Sequence, residues 1–148
     1  MNELYSPLLG IRKELRAKSE YRYKIKRVGD KIWEERTPQM IANEEIHEKS
    51  IKEVDDEDTY NKKQWSEELF PLYRKMLDIF RNGYHLAEPE RAIFYEKLVE
   101  YVEGWNRVMS GGTSAETIVR AGHTESDLMP FYKELEKRMM VLRLKIFK

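Results

Sequence analysis

The chain has 148 residues, of which 41% are hydrophobic and 11% aromatic, and its 27 basic and 27 acidic residues leave no net charge. This length and composition suit one domain with a packed core and argue against a wholly disordered chain. No run approaches the roughly eighteen apolar residues of a membrane-spanning helix, and the absence of cysteine excludes disulfides, thiol catalysis and cysteine metal sites.

The N-terminal stretch MNELYSPLLGIRKEL has no basic segment leading into an apolar one, so it does not resemble a secretory signal. A chain without cysteine also suits a reducing compartment. We therefore expect a cytoplasmic protein that has no membrane partner.

The zero net charge hides two adjacent segments of opposite sign. Residues 12–31 hold nine Lys or Arg and three Asp or Glu, which gives +6. Residues 34–58 hold three Lys or Arg and ten Asp or Glu, which gives −7. This segregation is the most distinctive feature of the sequence.

The first predicted helix spans residues 7–36. Its stretch YRYKIKRVGDKIW could instead form a hairpin about Gly29-Asp30, but neither face of that hairpin would be cleanly apolar. A helix explains the apolar pattern better than a hairpin does. Apolar residues recur at helical spacing, at Ile11, Leu15, Tyr21, Ile25, Val28 and Ile32, and only Lys18 interrupts the repeat. Ser6-Pro7 supplies a helix start, and Thr37-Pro38 predicts the end, since the residue before a proline avoids the helical region.

Five further helices are predicted, at residues 38–56, 66–82, 89–110, 114–121 and 125–147. The acidic run at 55–58 opposes the negative end of a helix, so we expect a frayed end or a turn there. Proline or serine opens the later helices, and glycine follows the ends of three of them. The pattern indicates an all-α antiparallel bundle of five or six helices in a single domain.

One motif has the spacing of metal ligands. Glu44 and His47 are three residues apart, so both side chains would project from one helical face. A carboxylate-bridged di-iron bundle needs a second such pair and two more glutamates, and neither His85 nor His123 has a glutamate at that spacing before it. Glu44 and His47 are therefore weak metal candidates, and no cofactor is predicted.

The basic segment 12–31 suggests nucleic-acid binding. Its candidate contacts are Arg16, Arg22, Lys24, Lys26 and Arg27, with tyrosines nearby that could stack on bases. If the first two helices pair, however, the acidic helix lies alongside the basic one and neutralises part of it. A dedicated nucleic-acid binder also usually carries surplus positive charge, which this chain lacks.

The C-terminal stretch RMMVLRLKIFK predicts a helix that is apolar on several faces. Such a helix either lies in the middle of the bundle or contacts another chain. The candidate interaction surface consists of Met139, Met140, Leu144 and Phe147.

We therefore expect a non-enzymatic helical module for protein–protein interaction or assembly, which associates with itself through the charge-segregated helix pair and the C-terminal helix. Nucleic-acid association is the alternative hypothesis, and a metal-binding helical bundle is a remote one.

Overall fold

A computed structural model of the chain describes residues 2–146, without the side chains of Asn2, Glu90, Leu142, Lys145 and Ile146. No β-strand occurs in this range, and the predicted all-α helical fold is confirmed. The α-helices are α1 (Asn2–Ala42), α2 (Glu44–Gln64), α3 (Phe70–Asn82), α4 (Ala92–Met109), α5 (Ala115–Arg120) and α6 (Met129–Ile146).

The chain divides into two compact units. The first combines Met1–Lys13 with Leu72–Lys148, and the second is Glu14–Pro71. Helix α1 contributes residues to both units.

The predicted helix boundary at Thr37-Pro38 is wrong, because α1 continues through it to Ala42. The Thr37 hydroxyl donates a hydrogen bond to the Trp33 carbonyl at 2.8 Å, as a helical threonine can. The chain leaves the helix at Asn43, whose backbone is extended and whose side chain accepts from the Glu45 amide at 3.0 Å. Asn43 thus caps α2 and fixes the turn six residues later than predicted.

The predicted break after residue 56 is also wrong. The acidic run at 55–58 lies inside α2, and the residues of its last turn include Lys62 and Lys63, whose charges suit the negative end of a helix. A five-residue π-helical segment, Trp65–Leu69, then joins α2 to α3. This wider turn directly precedes Pro71, whose ring would clash with a carbonyl in a regular α-helix.

The last three helices lie close to the predicted 89–110, 114–121 and 125–147. Their predicted starts differ mainly because two of them open with 3₁₀ turns, Pro89–Arg91 and Glu125–Leu128. Ser114 caps α5 by accepting a hydrogen bond from the Thr117 amide. For these three helices the predicted start signals were therefore correct to within a turn. The predicted start of the first helix at Ser6-Pro7 is wrong, because α1 already includes Asn2 and continues through both residues.

The first unit has an apolar core that is rich in aromatic rings. Helix α1 contributes its N-terminal apolar residues, which are buried together with residues of α3, α4 and α6. Phe80 packs against Phe131 with ring centroids 5.7 Å apart, and the Arg12 guanidinium lies 4.0 Å from the centre of the Tyr132 ring. The buried residues of this unit are Leu4, Tyr5, Leu8, Leu9, Ile11, Tyr73, Met76, Leu77, Phe80, Leu98, Tyr101, Val102, Leu128, Phe131, Tyr132 and Leu135.

Gly104 of α4 lies directly against the His123 ring, so a Cβ there would be 2.5 Å from His123 Cδ2. The His123 ring cannot easily move away, because it stacks on Tyr101 and its Nε2 is 2.8 Å from the Tyr101 carbonyl oxygen.

We expect Gly104→Ala to lower the free energy of unfolding by about 1–3 kcal/mol, measured by urea unfolding. The control is Gly10→Ala in α1, where a Cβ meets nothing within 4 Å. It should be neutral or stabilising by up to about 1 kcal/mol, and equal losses in both variants would contradict this account.

Three buried tyrosines should make the first unit sensitive to alkali. Burial raises the pKa of Tyr101 to about 12 and also raises the pKa of Tyr73 and of Tyr132. The Tyr73 hydroxyl donates a hydrogen bond to Glu125 at 2.6 Å. An unfolded tyrosine releases its proton near pH 10, so the unfolded state holds fewer protons above that pH. We expect the free energy of unfolding to be unaffected by these groups below about pH 10 and to fall as the pH rises towards 12. Urea titrations across this range measure the fall, which should be smaller in Tyr101→Phe; an unchanged slope in that variant would refute the assignment.

Candidate interaction surface

The second unit is a helical hairpin, which we define as residues 14–71. Contacts between its two arms show that they run antiparallel, because residue 18 of α1 lies beside residue 68 at the far end of the other arm, whereas residues 33 and 36 lie beside residues in the first half of α2. Lys18 Nζ is 3.5 Å from Glu68 Oε2, and Arg36 Nη1 is 2.7 Å from Glu53 Oε2. Near the turn, the Trp33 ring packs against the edge of the His47 ring with centroids 6.5 Å apart.

The arms of the hairpin bury very little. No side chain of α1 between residues 16 and 39 is buried, and Ser50 is the one buried residue among those of α2. Buried residues of this unit lie near the ends of the arms, at Leu15, Met40, Leu69 and Phe70. The middle of the hairpin therefore has no apolar core of its own.

Apolar side chains on this hairpin instead face solvent. Tyr21, Ile25, Val28 and Ile32, which we call the apolar stripe, are spaced by four, three and four residues and so lie along one side of α1. All four are exposed, Tyr21 to 62% and Val28 to 51%. A groove of about 330 Å³ brings Tyr60 and Gln64 of α2 beside the first two of these residues. Tyr60, which is itself 60% exposed, thus extends the apolar surface beside Tyr21 and Ile25.

A larger groove of about 510 Å³ lies between the two arms. Gly29 and Ser50, which have small side chains, line it together with Trp33. Its charged lining is mixed, because Arg22, Lys26 and Arg36 stand opposite the acidic residues Glu53, Glu57 and Asp58. A groove with both charge signs has no preference for an anionic or a cationic ligand.

The structure brings together three of the five residues predicted to bind nucleic acid. Lys24, Lys26 and Arg27 line one shallow depression along α1, while Arg22 lines the groove between the arms, which Lys26 also borders. Arg16 forms a hydrogen bond with Glu20 at 2.9 Å. Within residues 2–146, Arg22, Lys24, Lys26 and Arg27 take part in none of the ion pairs closer than 4 Å.

The position of the turn explains why the acidic helix leaves these cations unpaired. A turn at Thr37-Pro38 would place the basic residues 16–31 opposite the acidic residues 44–59. The turn at Asn43 shifts the facing register by about eleven residues, so that Gly29 faces Glu57 and Lys18 faces Glu68. Among the described residues, the expected neutralisation between the arms is therefore limited to the ion pairs of Lys18 with Glu68 and of Arg36 with Glu53.

The same register separates charge along the hairpin. We call residues 29–57 the turn half; it carries four Lys or Arg and ten Asp or Glu, a net −6. The open half, residues 14–28 and 58–71, carries eight Lys or Arg and five Asp or Glu, a net +3. The hairpin is thus negative at its turn and positive at its other end.

The weak metal candidates gain no further ligands. Glu44 lies in the first turn of α2, and His47 packs on Trp33. In the described part of the chain, no three His, Asp or Glu side chains come together in a way that could hold a metal ion. Glu44 and His47 thus lack the additional carboxylates that a di-iron site requires.

Three residues of the C-terminal candidate surface can be placed. Met140 and Leu144 are exposed, to 63% and 58%, and lie one helical turn apart, while Met139 is half-buried. Phe147 lies outside the described residues. The C-terminal end of α6 thus presents a second, smaller apolar patch.

Comparison of the chain with protein-family models, curated proteins and solved structures found no match. Among the described residues, no helix is both long and apolar enough to cross a membrane. Function must therefore be argued from the geometry of the chain itself.

Sequence reasoning found the residues of the apolar stripe but expected them to pack in a bundle. It overlooked Tyr60 and the turn. A readable signal for the turn was present, because asparagine followed by Glu44 and Glu45 is a typical helix start.

Proposed function

We propose that this protein is a non-enzymatic helical module for protein–protein interaction and assembly, and that it associates with itself through the hairpin. The observation that carries the proposal is the apolar stripe, which lies exposed on α1 although α1 and α2 pair with almost no buried residues between them. The cytoplasmic location expected from the sequence is part of the same proposal.

The physical argument concerns what holds such a hairpin together. Helices in proteins owe most of their stability to the packing of an apolar face, and isolated helices are marginal in water. Each arm here is about 30 Å long or more, yet most of its apolar side chains remain at least partly exposed to water. Covering one such side chain contributes about 1.5–3 kcal/mol, so a partner that covers the stripe would stabilise the hairpin substantially.

The C-terminal patch can add to the assembly. Met140 and Leu144 are on a different helix and in the other unit, so they offer a separate contact. Methionine adapts its shape to varied partners, which suits an interaction surface.

Replacing the centre of the stripe should weaken self-association. We expect the double variant Ile25→Gln/Val28→Gln to raise the dissociation constant by at least about tenfold, because each buried apolar contact contributes more than about 1 kcal/mol to such an interface. Sedimentation velocity over a range of concentrations measures the change. The matched control is Ile41→Gln, which removes an isoleucine that is 84% exposed on the other side of the same helix.

The control should associate as the wild type does. A wild-type chain that stays strictly monomeric at high concentration, or an equal loss in the control, would count against the proposal.

Nucleic-acid association stays as a second candidate because one observation favours it. Lys24 and Arg27 are exposed, make no ion pair among the described residues, and line a depression together with Tyr21 and Tyr23. Four such groups could contact phosphates and stack on bases.

The two functions predict different responses to nucleic acid. If the assembly role is correct, we expect no gel shift of single- or double-stranded DNA or RNA at low salt. A shift that weakens steeply with salt and is lost in Lys24→Gln/Arg27→Gln would favour the second candidate instead. Lys75→Gln/Lys97→Gln removes the same charge from the first unit and serves as the control.

A further inference from the structure

We infer that the partner of the apolar stripe is the hairpin of a second copy of this chain, laid head to tail so that the turn half of each copy covers the open half of the other. This inference rests on the proposed self-association and adds the identity of the interface and its orientation.

The stripe is complementary to itself when it is reversed. Its spacing of four, three and four residues reads the same from either end. In an antiparallel pair centred between residues 26 and 27, Tyr21 meets the partner's Ile32 and Ile25 meets the partner's Val28. A two-fold axis perpendicular to the stripe therefore produces an isologous contact in which every apolar residue of one copy faces an apolar residue of the other.

The charge of the hairpin selects this orientation. Two hairpins stacked by a two-fold axis along the helices would bring the two turn halves together, −6 against −6, and the two open halves together, +3 against +3. The perpendicular axis instead places each −6 half over a +3 half. Single exposed ion pairs contribute little to stability. Both orientations bury the same apolar stripe, however, so the net attraction between halves of opposite charge favours the head-to-tail orientation over the one in which like charges meet.

The size of the surface suits a stable dimer. The face of the hairpin is about 40 Å long, the length of residues 14–42 at 1.5 Å per residue, and about 20 Å wide across two helices. It therefore offers about 800 Å² on each copy, the area that specific protein–protein interfaces usually bury.

A nucleic acid fits the same surface less well. It would be attracted to the open half and repelled by the turn half, whose ten acidic residues lie on the same hairpin. It would also leave Val28 and Ile32 exposed. A second copy satisfies both the charge pattern and the apolar stripe.

Because the chain has no native cysteine, single spin labels can be attached without background. Ile41→Cys places a label near the turn, and Thr59→Cys places one opposite the centre of the stripe; both positions are exposed. In the head-to-tail dimer the two labels at residue 41 lie about 44 Å apart along the helices, since each is about 14.5 residues from the axis. The two labels at residue 59 lie close together, within about 20 Å.

Double electron–electron resonance on the full chain distinguishes the outcomes. A long distance at residue 41 with a short distance at residue 59 supports the head-to-tail dimer. Short distances at both positions overturn the orientation, and long distances at both place the interface elsewhere, while self-association itself stands in either case. No dipolar signal at either position, with a monomer in sedimentation, refutes both the inference and the proposed function.

Discussion

The antiparallel register of the hairpin is the constraint on which the rest of this structure depends. It is set by Asn43, whose side chain caps α2 and so decides where the chain reverses. Moving the turn by six residues shifts the register between the two arms by about eleven residues. The position of one cap therefore determines whether the basic and acidic segments meet along their length or lie at opposite ends.

With the turn at Asn43 they lie at opposite ends, and two consequences follow. The hairpin becomes a rod that is negative at its turn and positive at its open end, instead of a neutral pair. The groove between its arms is lined by glycine, serine and charged residues beside Ile32, Trp33 and Val54, and the stripe from Tyr21 to Ile32 stays partly exposed. Separated charge and an exposed apolar stripe together favour assembly over a self-sufficient fold.

The first unit is organised differently. Its helices meet through apolar and aromatic side chains that are fully covered, with Phe80 and Phe131 near the centre. Its polar groups are paired at close range, as His123 with the Tyr101 carbonyl and Tyr73 with Glu125. This unit therefore has an apolar core of its own, which the middle of the hairpin lacks.

The sequence alone determined that this protein is helical, where its last three helices start to within about a turn, and which residues carry the charge. Those features are local, because periodicity, capping residues and glycine or proline signals act over a few residues. Only the tertiary structure decided that Ile11 and Leu15 are buried while Ile25 and Val28, on the same periodic pattern, are exposed. The tertiary structure also decided which charges face one another. The sequence offers two possible turns, at Thr37-Pro38 and at Asn43, and the facing charges depend on which of them reverses the chain. Burial and pairing are relations between distant segments, and a helical repeat has the same appearance whether or not another helix covers it.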